Sequence, residues 1–253
     1  MNDTLITAGI VIIGDEILSG RTKDSNIGTL ADYLTDLGID LREVRVVSDR
    51  TEAIVAAVNA LRATYDEVFT TGGIGPTHDD ITAESIAAAF GVELYEDPAA
   101  LEMMRARYGE TALSESRRRM ARVPQGASLI ANGATAAPGF TIGNVHVLAG
   151  VPEIMKAMLI ELTPTLRRGV KLLSKTIAVA APEGAFAADL AALQRKHPEV
   201  AIGSYPQMSP AGFSTEIVIR SRDAARLEEA VREAEAMLSA IAATADPNSN
   251  DAP

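Results

Sequence analysis

At 253 residues without a cysteine, the chain suits one large domain or two smaller ones, and it excludes thiol nucleophiles, disulfide frameworks and thiolate zinc sites. Its composition, 47% hydrophobic and 23% charged, is that of a globular protein with a substantial core. A net charge of -11 argues against nucleic-acid partners and anionic membranes, because phosphate backbones are held by clustered Lys and Arg; any phosphate must be held locally.

The start, Met1-Asn2-Asp3-Thr4, lacks the basic residues and apolar run of a signal peptide, and no apolar stretch approaches about 18 residues, so a soluble cytoplasmic protein is expected. Leu5 to Ile13 is nearly continuous apolar sequence, the pattern of a central strand buried on both faces. It ends in Gly14-Asp15-Glu16, a polar loop at a strand's carboxyl end, where open α/β sheets place ligands. Asp24 or Ser25 can cap a helix with an apolar stripe through Ile27, Leu30, Leu34 and Leu37, stopped by Gly38. Ile39 to Val47 reads as a second strand delivering Ser48-Asp49 to the same kind of position. Asp49 with Glu52 has capping-box spacing for a helix whose stripe is Ile54, Ala57, Val58 and Leu61.

Asp66 to Thr71 is the third strand. It breaks into Gly72-Gly73-Ile74-Gly75-Pro76-Thr77-His78-Asp79-Asp80-Ile81-Thr82, with Thr82 placed to cap a helix ending at Gly91. Glycines let successive N–H groups approach one anion, and a helix start adds partial positive charge. Asp79 and Asp80 would repel a phosphate unless a divalent cation lay between them, so the loop suggests phosphate plus metal. Three βα units imply a parallel sheet with right-handed crossovers, which puts Asp15, Asp49 and Asp80 on one edge.

Asp97-Pro98 starts a helix to about Tyr108. The run Arg117-Arg118-Arg119 reads as a solvated helix face or as a lid pairing with a nucleotide phosphate. Gly143-Asn144 is a hairpin signal, His146 falls on its second strand in a structural role, and Gly150-Val151-Pro152 opens a helix to about Arg167. Beyond Gly169, strands at 176–181, 200–205 and 215–219 with helices at 185–196 and 224–241 form a βαββα unit, and 246–253 is a polar, disordered tail.

Thr71 to Thr77 followed by Asp79-Asp80-Ile81-Thr82 resembles the signature of the molybdopterin-binding fold shared by MoaB/Mog proteins and the N-terminal part of competence/damage-inducible CinA-type proteins. Gly14 to Gly20, Asp24-Ser25-Asn26, Val47-Ser48-Asp49, Ala137-Pro138-Gly139 and Gly150 to Glu153 extend the match in order, and the paired Asp is closer to the CinA type. The stretches Ala134 to Gly139, Leu148 to Pro152 and Arg117 to Ala121 depart from the usual family pattern.

The resemblance implies an α/β, three-layer fold with a mostly parallel sheet over 1–169 and a small α+β, KH-like domain over 170–245. Longer relatives continue into a nicotinamide-nucleotide amidase domain, expected to be absent here. It also implies metal-dependent cleavage of a nucleotide diphosphate such as ADP-ribose or FAD, with molybdopterin adenylyl transfer or a non-catalytic nucleotide- or pterin-binding role as alternatives. Asp80 with Asp15 or Asp49 would hold a Mg, Mn, Co or Ni cation, with Asp79 as a further ligand or the base. Phosphate and ligand contacts would come from Gly72, Gly73, Gly75, Pro76, Thr77, Thr82, Gly14, Ser19, Asn26, Pro138, Gly139, Gly150 and Pro152. Expected partners are a small nucleotide or pterin phosphate and further copies of the chain.

Overall fold

In a computed structural model, which describes residues 5–109, 111, 113–209 and 212–244, the chain divides into two compact units, Met1–Val170 and Lys171–Pro253. The first is built on strands β1 (Ile6–Ile13), β2 (Ile39–Val47), β3 (Glu67–Thr71), β6 (Ser128–Ile130), β7 (Gly139–Ile142) and β8 (Val145–Leu148). They form one sheet in the order β2-β1-β3-β8-β7-β6. The pairs β2/β1, β1/β3 and β3/β8 are parallel, and the other two are antiparallel.

Strand β1 shows why its apolar run is continuous. Ile6, Ala8, Ile10 and Ile12 face a core shared with α2 (Asn26–Asp36) and α7 (Pro152–Leu162), through Leu30, Leu34, Met155 and Leu159. Val11 and Ile13 face the opposite core, against Ile54, Val58 and Leu61 of α3 (Thr51–Thr64) and Ile86 of α4 (Thr82–Phe90). Alternate residues thus feed two helical layers, the three-layer α/β architecture expected of a parallel sheet.

One short helix and an excursion complete the unit. Helix α1 (Asp15–Leu18) follows β1 directly. Between α4 and β6 the chain runs through β4 (Leu94–Glu96), α5 (Pro98–Tyr108), α6 (Glu115–Arg118) and β5 (Arg122–Pro124), and β4 pairs antiparallel with β5. Asp97 caps α5 as expected, its carboxylate accepting the Ala99 and Ala100 N–H groups at 2.8 and 3.0 Å.

Two expected caps are absent. Helix α3 starts after Arg50 with no side-chain cap, so Asp49 is not part of a capping box. Thr82 is the first helical residue of α4 rather than its cap. Both side chains are engaged elsewhere, at the carboxyl edge of the sheet.

The second unit runs β9 (Leu173–Val179), α8 (Ala187–Lys196), β10 (Ala201–Ser209), β11 (Gly212–Ser221) and α9 (Ala224–Thr244), with an antiparallel sheet in the order β10-β11-β9. Phe186, Leu190, Ile217, Ile219, Leu227 and Ala230 fill its core. The β10–β11 hairpin is longer than the sequence pattern suggested. Pro206 interrupts that pattern, but β10 is an edge strand, where a missing N–H is tolerated. The tail at 246–253 lies outside the described residues.

Candidate functional site

The carboxyl ends of β1, β2, β3 and β8 converge on a cavity of about 610 Å³. Strand order reverses here: β2 lies on one side of β1 and β3 on the other, and such a switch point is where open α/β sheets bind ligands. Residues from Ile12 to Gly14, Thr71 to Pro76 and Ala149 to Pro152 line it, together with Asp49, Asp79 and Asp80.

The glycine loop forms the floor. Gly72 has φ +105°, and a Cβ there would sit 2.1 Å from the Ile13 carbonyl oxygen; Gly73 has φ +64°, and a Cβ there would strike the Thr82 hydroxyl at 2.3 Å. Only glycine meets both demands. The fully buried Thr82 donates its hydroxyl to the Gly72 carbonyl at 2.9 Å and its N–H to the Gly73 carbonyl at 3.0 Å. In a planar trans peptide the C=O and the next N–H point oppositely, so this turns the N–H groups of Gly73 and Ile74 away from Thr82. The N–H groups of Gly73, Ile74 and Gly75 donate to no described acceptor, which leaves three donors for an anion. Gly72, expected to be a donor to ligand, instead gives its N–H to the Leu148 carbonyl at 3.3 Å.

The acids divide into distinct roles. Asp80 accepts the Thr77 N–H at 2.8 Å and its hydroxyl at 2.5 Å, closing the turn at the end of the loop. Asp49 accepts the Asp15 N–H at 2.8 Å. Its carboxyl is pushed above the usual range by burial, and further by the charges of Asp15, Glu16 and Asp79. The exposed Asp79 is held below that range by the neighbouring Thr77 hydroxyl, whose bond goes to Asp80, and by its own backbone N–H. Neighbouring carboxylates with oppositely displaced pKa values are a feature of functional sites.

Several expected contacts fall elsewhere. Asp15 contributes its N–H to Asp49, and the cavity is lined by Glu16 instead. Ser19 and Thr77 are exposed and do not line the cavity. Thr82 lies beneath the loop. Gly139 is buried in β7, where a Cβ would stand 2.3 Å from the Val147 carbonyl oxygen, and Pro138 lines a smaller pocket beside the glycine loop. Gly14, Asn26, Gly150 and Pro152 do line the main cavity, and Asn26 donates its side-chain N–H to the Gly150 carbonyl at 2.8 Å. Thr135 and Ala137, from the stretch that departs from the family pattern, reach it as well.

Sequence reasoning missed Tyr108 and Met120, which come to the cavity from the excursion between α4 and β6. The nearby Arg run is engaged: Arg117 stacks over the Tyr108 ring at 4.9 Å, Arg118 pairs with Glu96, and Arg119 approaches Glu84 at 3.8 Å. None of the three lines the main cavity. His146 is structural, as expected: it is buried, bonded to Glu67 at 3.0 Å and to Thr141 at 3.0 Å.

Among the described residues, no group of three or more His, Cys, Asp or Glu side chains is gathered to hold a metal ion. The donor set fits a different arrangement. Asp49 is destabilised in its charged form chiefly by burial and further by its acidic neighbours, and a cation would relieve the repulsion. Mg²⁺ characteristically uses one or two carboxylates and completes its shell with water and substrate phosphates. No described helix is long and apolar enough to cross a membrane.

A doubly covered, mainly parallel sheet with a glycine-loop cavity at its switch point defines an α/β protein that binds a small molecule. Comparison with known families matches residues 9–168 to the family described as "Probable molybdopterin binding domain" and residues 171–246 to "FAD synthase, middle domain". The chain belongs to this MoaB/Mog-like molybdopterin-binding family and carries an FAD synthase middle domain after it. A protein of Aeropyrum pernix is 37% identical over 90% of this chain and 89% of its own length. A CinA-like protein of Anaeromyxobacter dehalogenans is 39% identical over 56% of this chain and 36% of its own. A crystal structure described as the protein CinA with unknown function, from Thermoplasma acidophilum, superposes with a TM-score of 0.61 at 34% identity, covering 64% of this chain and 98% of that one.

Proposed function

We propose that the chain is a metal-dependent pyrophosphatase that cleaves a nucleotide diphosphate such as ADP-ribose or FAD. The observation that carries this reading is the pairing, in one cavity, of three unclaimed N–H groups at Gly73, Ile74 and Gly75 with carboxylates at Asp49, Asp79 and Asp80. Donors of that kind stabilise charge developing on a phosphoryl oxygen. A divalent cation bound with the substrate would supply polarisation of that oxygen and a bound water of lowered pKa.

The residues of the chain divide the remaining work. Asp49, whose pKa is raised by burial and by its acidic neighbours, is the candidate proton acceptor, and Asp79, whose pKa is held low, is the better cation ligand. Asp80 fixes the loop and offers a second carboxylate oxygen to the cavity. Ile17, Ile74, Ile154 and Met158 give an apolar wall for a base or ring, and Tyr108 reaches the same space. The matched FAD synthase domain is consistent with a flavin or adenine dinucleotide as substrate.

The test follows AMP release from ADP-ribose, FAD and ATP, with and without Mg²⁺, Mn²⁺, Co²⁺ or Ni²⁺. Metal-dependent AMP from a diphosphate is expected. Asp80→Asn, which keeps an acceptor for Thr77 while removing charge, is expected to lower the rate, as Asp80→Ala should. No AMP from any substrate would end the hydrolytic reading. The family's description favours molybdopterin adenylyl transfer as the second reading, recognised by ATP-dependent adenylylation of a pterin without diphosphate hydrolysis.

A further inference from the structure

We propose that Lys23 is the phosphate-binding side chain of the cavity. Among the described residues it is the one Lys or Arg on the lining, whereas Glu16, Asp24, Asp49, Asp79 and Asp80 bring five carboxylates. An ammonium in such company ordinarily pairs with an acid. Lys23 does not: no described residue makes an ion pair or hydrogen bond with it. Its Nζ stands 3.8 Å from where a Cβ on Gly20 would be.

The segment that carries Lys23 is held on three sides. The Thr22 N–H donates to the Glu16 carbonyl at 3.0 Å, the Asp24 carboxylate accepts the Ile27 N–H at 2.8 Å, and Asn26 donates to the Gly150 carbonyl at 2.8 Å. A cation on a fixed backbone costs less ordering when it binds an anion. Asn26 supplies an independent pointer to a ligand. It is 4% exposed, its side-chain oxygen is buried without a partner, and it lines the same cavity. A buried acceptor left unpaired is costly, and an N–H or O–H donor would satisfy it. Cation and acceptor together suit a molecule with a phosphate and a hydroxyl or amine, which is the chemistry of a nucleotide.

The inference rests on the pyrophosphatase reading for the identity of the substrate, but not for the phosphate contact itself. Calorimetric titration of the full chain with adenosine, AMP and ADP-ribose, for the wild type, Lys23→Met and Lys23→Arg, separates the two. AMP is expected to bind the wild type more tightly than adenosine. That advantage should fall about tenfold or more in Lys23→Met, return in Lys23→Arg, and shrink with added salt, while adenosine binding stays unchanged. In turnover, KM for ADP-ribose should rise more than kcat falls. Phosphate-dependent binding through Lys23 without AMP release would retire hydrolysis and support the contact. Equal AMP advantage in wild type and Lys23→Met, or no nucleotide binding by the wild type, would overturn it.

Discussion

Thr82→Val tests how the glycine loop is built, since valine replaces the hydroxyl with a methyl group of similar size. Thr82 is fully buried, and its hydroxyl holds the Gly72 carbonyl at 2.9 Å. Removing the donor strands a carbonyl in the interior, a loss of about 1–3 kcal/mol. For a domain of this size each kcal/mol moves the melting temperature by about 2–4 °C, so the first unit should melt about 2–12 °C lower. The Thr82 N–H still holds Gly73, but the peptide that carries the Gly73 N–H loses its anchor, and AMP affinity should fall about tenfold by the loss of one charge-assisted donor. Thr82→Ser keeps the hydroxyl and loses one methyl group, at about 1 kcal/mol, with affinity preserved. Thermal unfolding by circular dichroism and titration with AMP read both. A Thr82→Val protein that melts and binds like the wild type, or a Thr82→Ser protein that binds as weakly as Thr82→Val, would refute the reasoning.

Asp49, whose folded pKa is raised chiefly by burial, stabilises the fold least when ionised: the contribution is full below the unfolded pKa and lost as pH rises through the folded one. Urea denaturation across that window should show Asp49→Asn less dependent on pH than the wild type, and more stable than it at neutrality, with slower turnover. Glu67 has the opposite sign. Burial raises its pKa, but hydrogen bonds from His146 and Arg167 outweigh this and hold it low, so its stabilisation is present above the unfolded pKa and lost as pH falls through the folded one. Glu67→Ala should cost about 1–3 kcal/mol, because the buried His146 ring nitrogen loses its partner, whereas the more exposed Arg167 keeps its bonds to Asp66. Glu67 opens β3, at the end of the strand away from the glycine loop, so AMP affinity measured by titration should not change.

The sheet was legible because its signals are local. The run into Ile13 is apolar enough to be a core strand, the stretch Ile39 to Val47 alternates apolar and charged residues as a half-exposed edge strand does, and Gly38, Gly91 and Pro152 punctuate the helices around them. Placing three acids on one edge followed from βα order alone. Their individual duties did not, because these depend on loop backbone that no periodicity encodes. Asp15 could not be seen to act through its N–H, nor Asp80 to close its own turn on Thr77. Thr82 looked like a cap because a hydroxyl before an apolar helix usually is one, yet Gly72 and Gly73 present carbonyls that compete for it. Tyr108 and Met120 lie on an excursion whose fold-back is set by the β4–β5 pairing and by ion pairs such as Arg122 with Glu84 at 2.9 Å, contacts distant in sequence. Lys23 carried no signal as one lysine among 23 basic residues; only the cavity singles it out.

The central claim is that the loop following β3 binds a nucleotide phosphate through its free N–H groups. A crystal structure of the full chain with a non-hydrolysable methylene analogue of ADP-ribose and Mg²⁺ tests it directly. The account predicts phosphate oxygens within hydrogen-bonding distance of the Gly73, Ile74 and Gly75 N–H groups, beside Asp49 and Asp79. Phosphates bound away from that loop, with those three N–H groups facing only solvent, would contradict it.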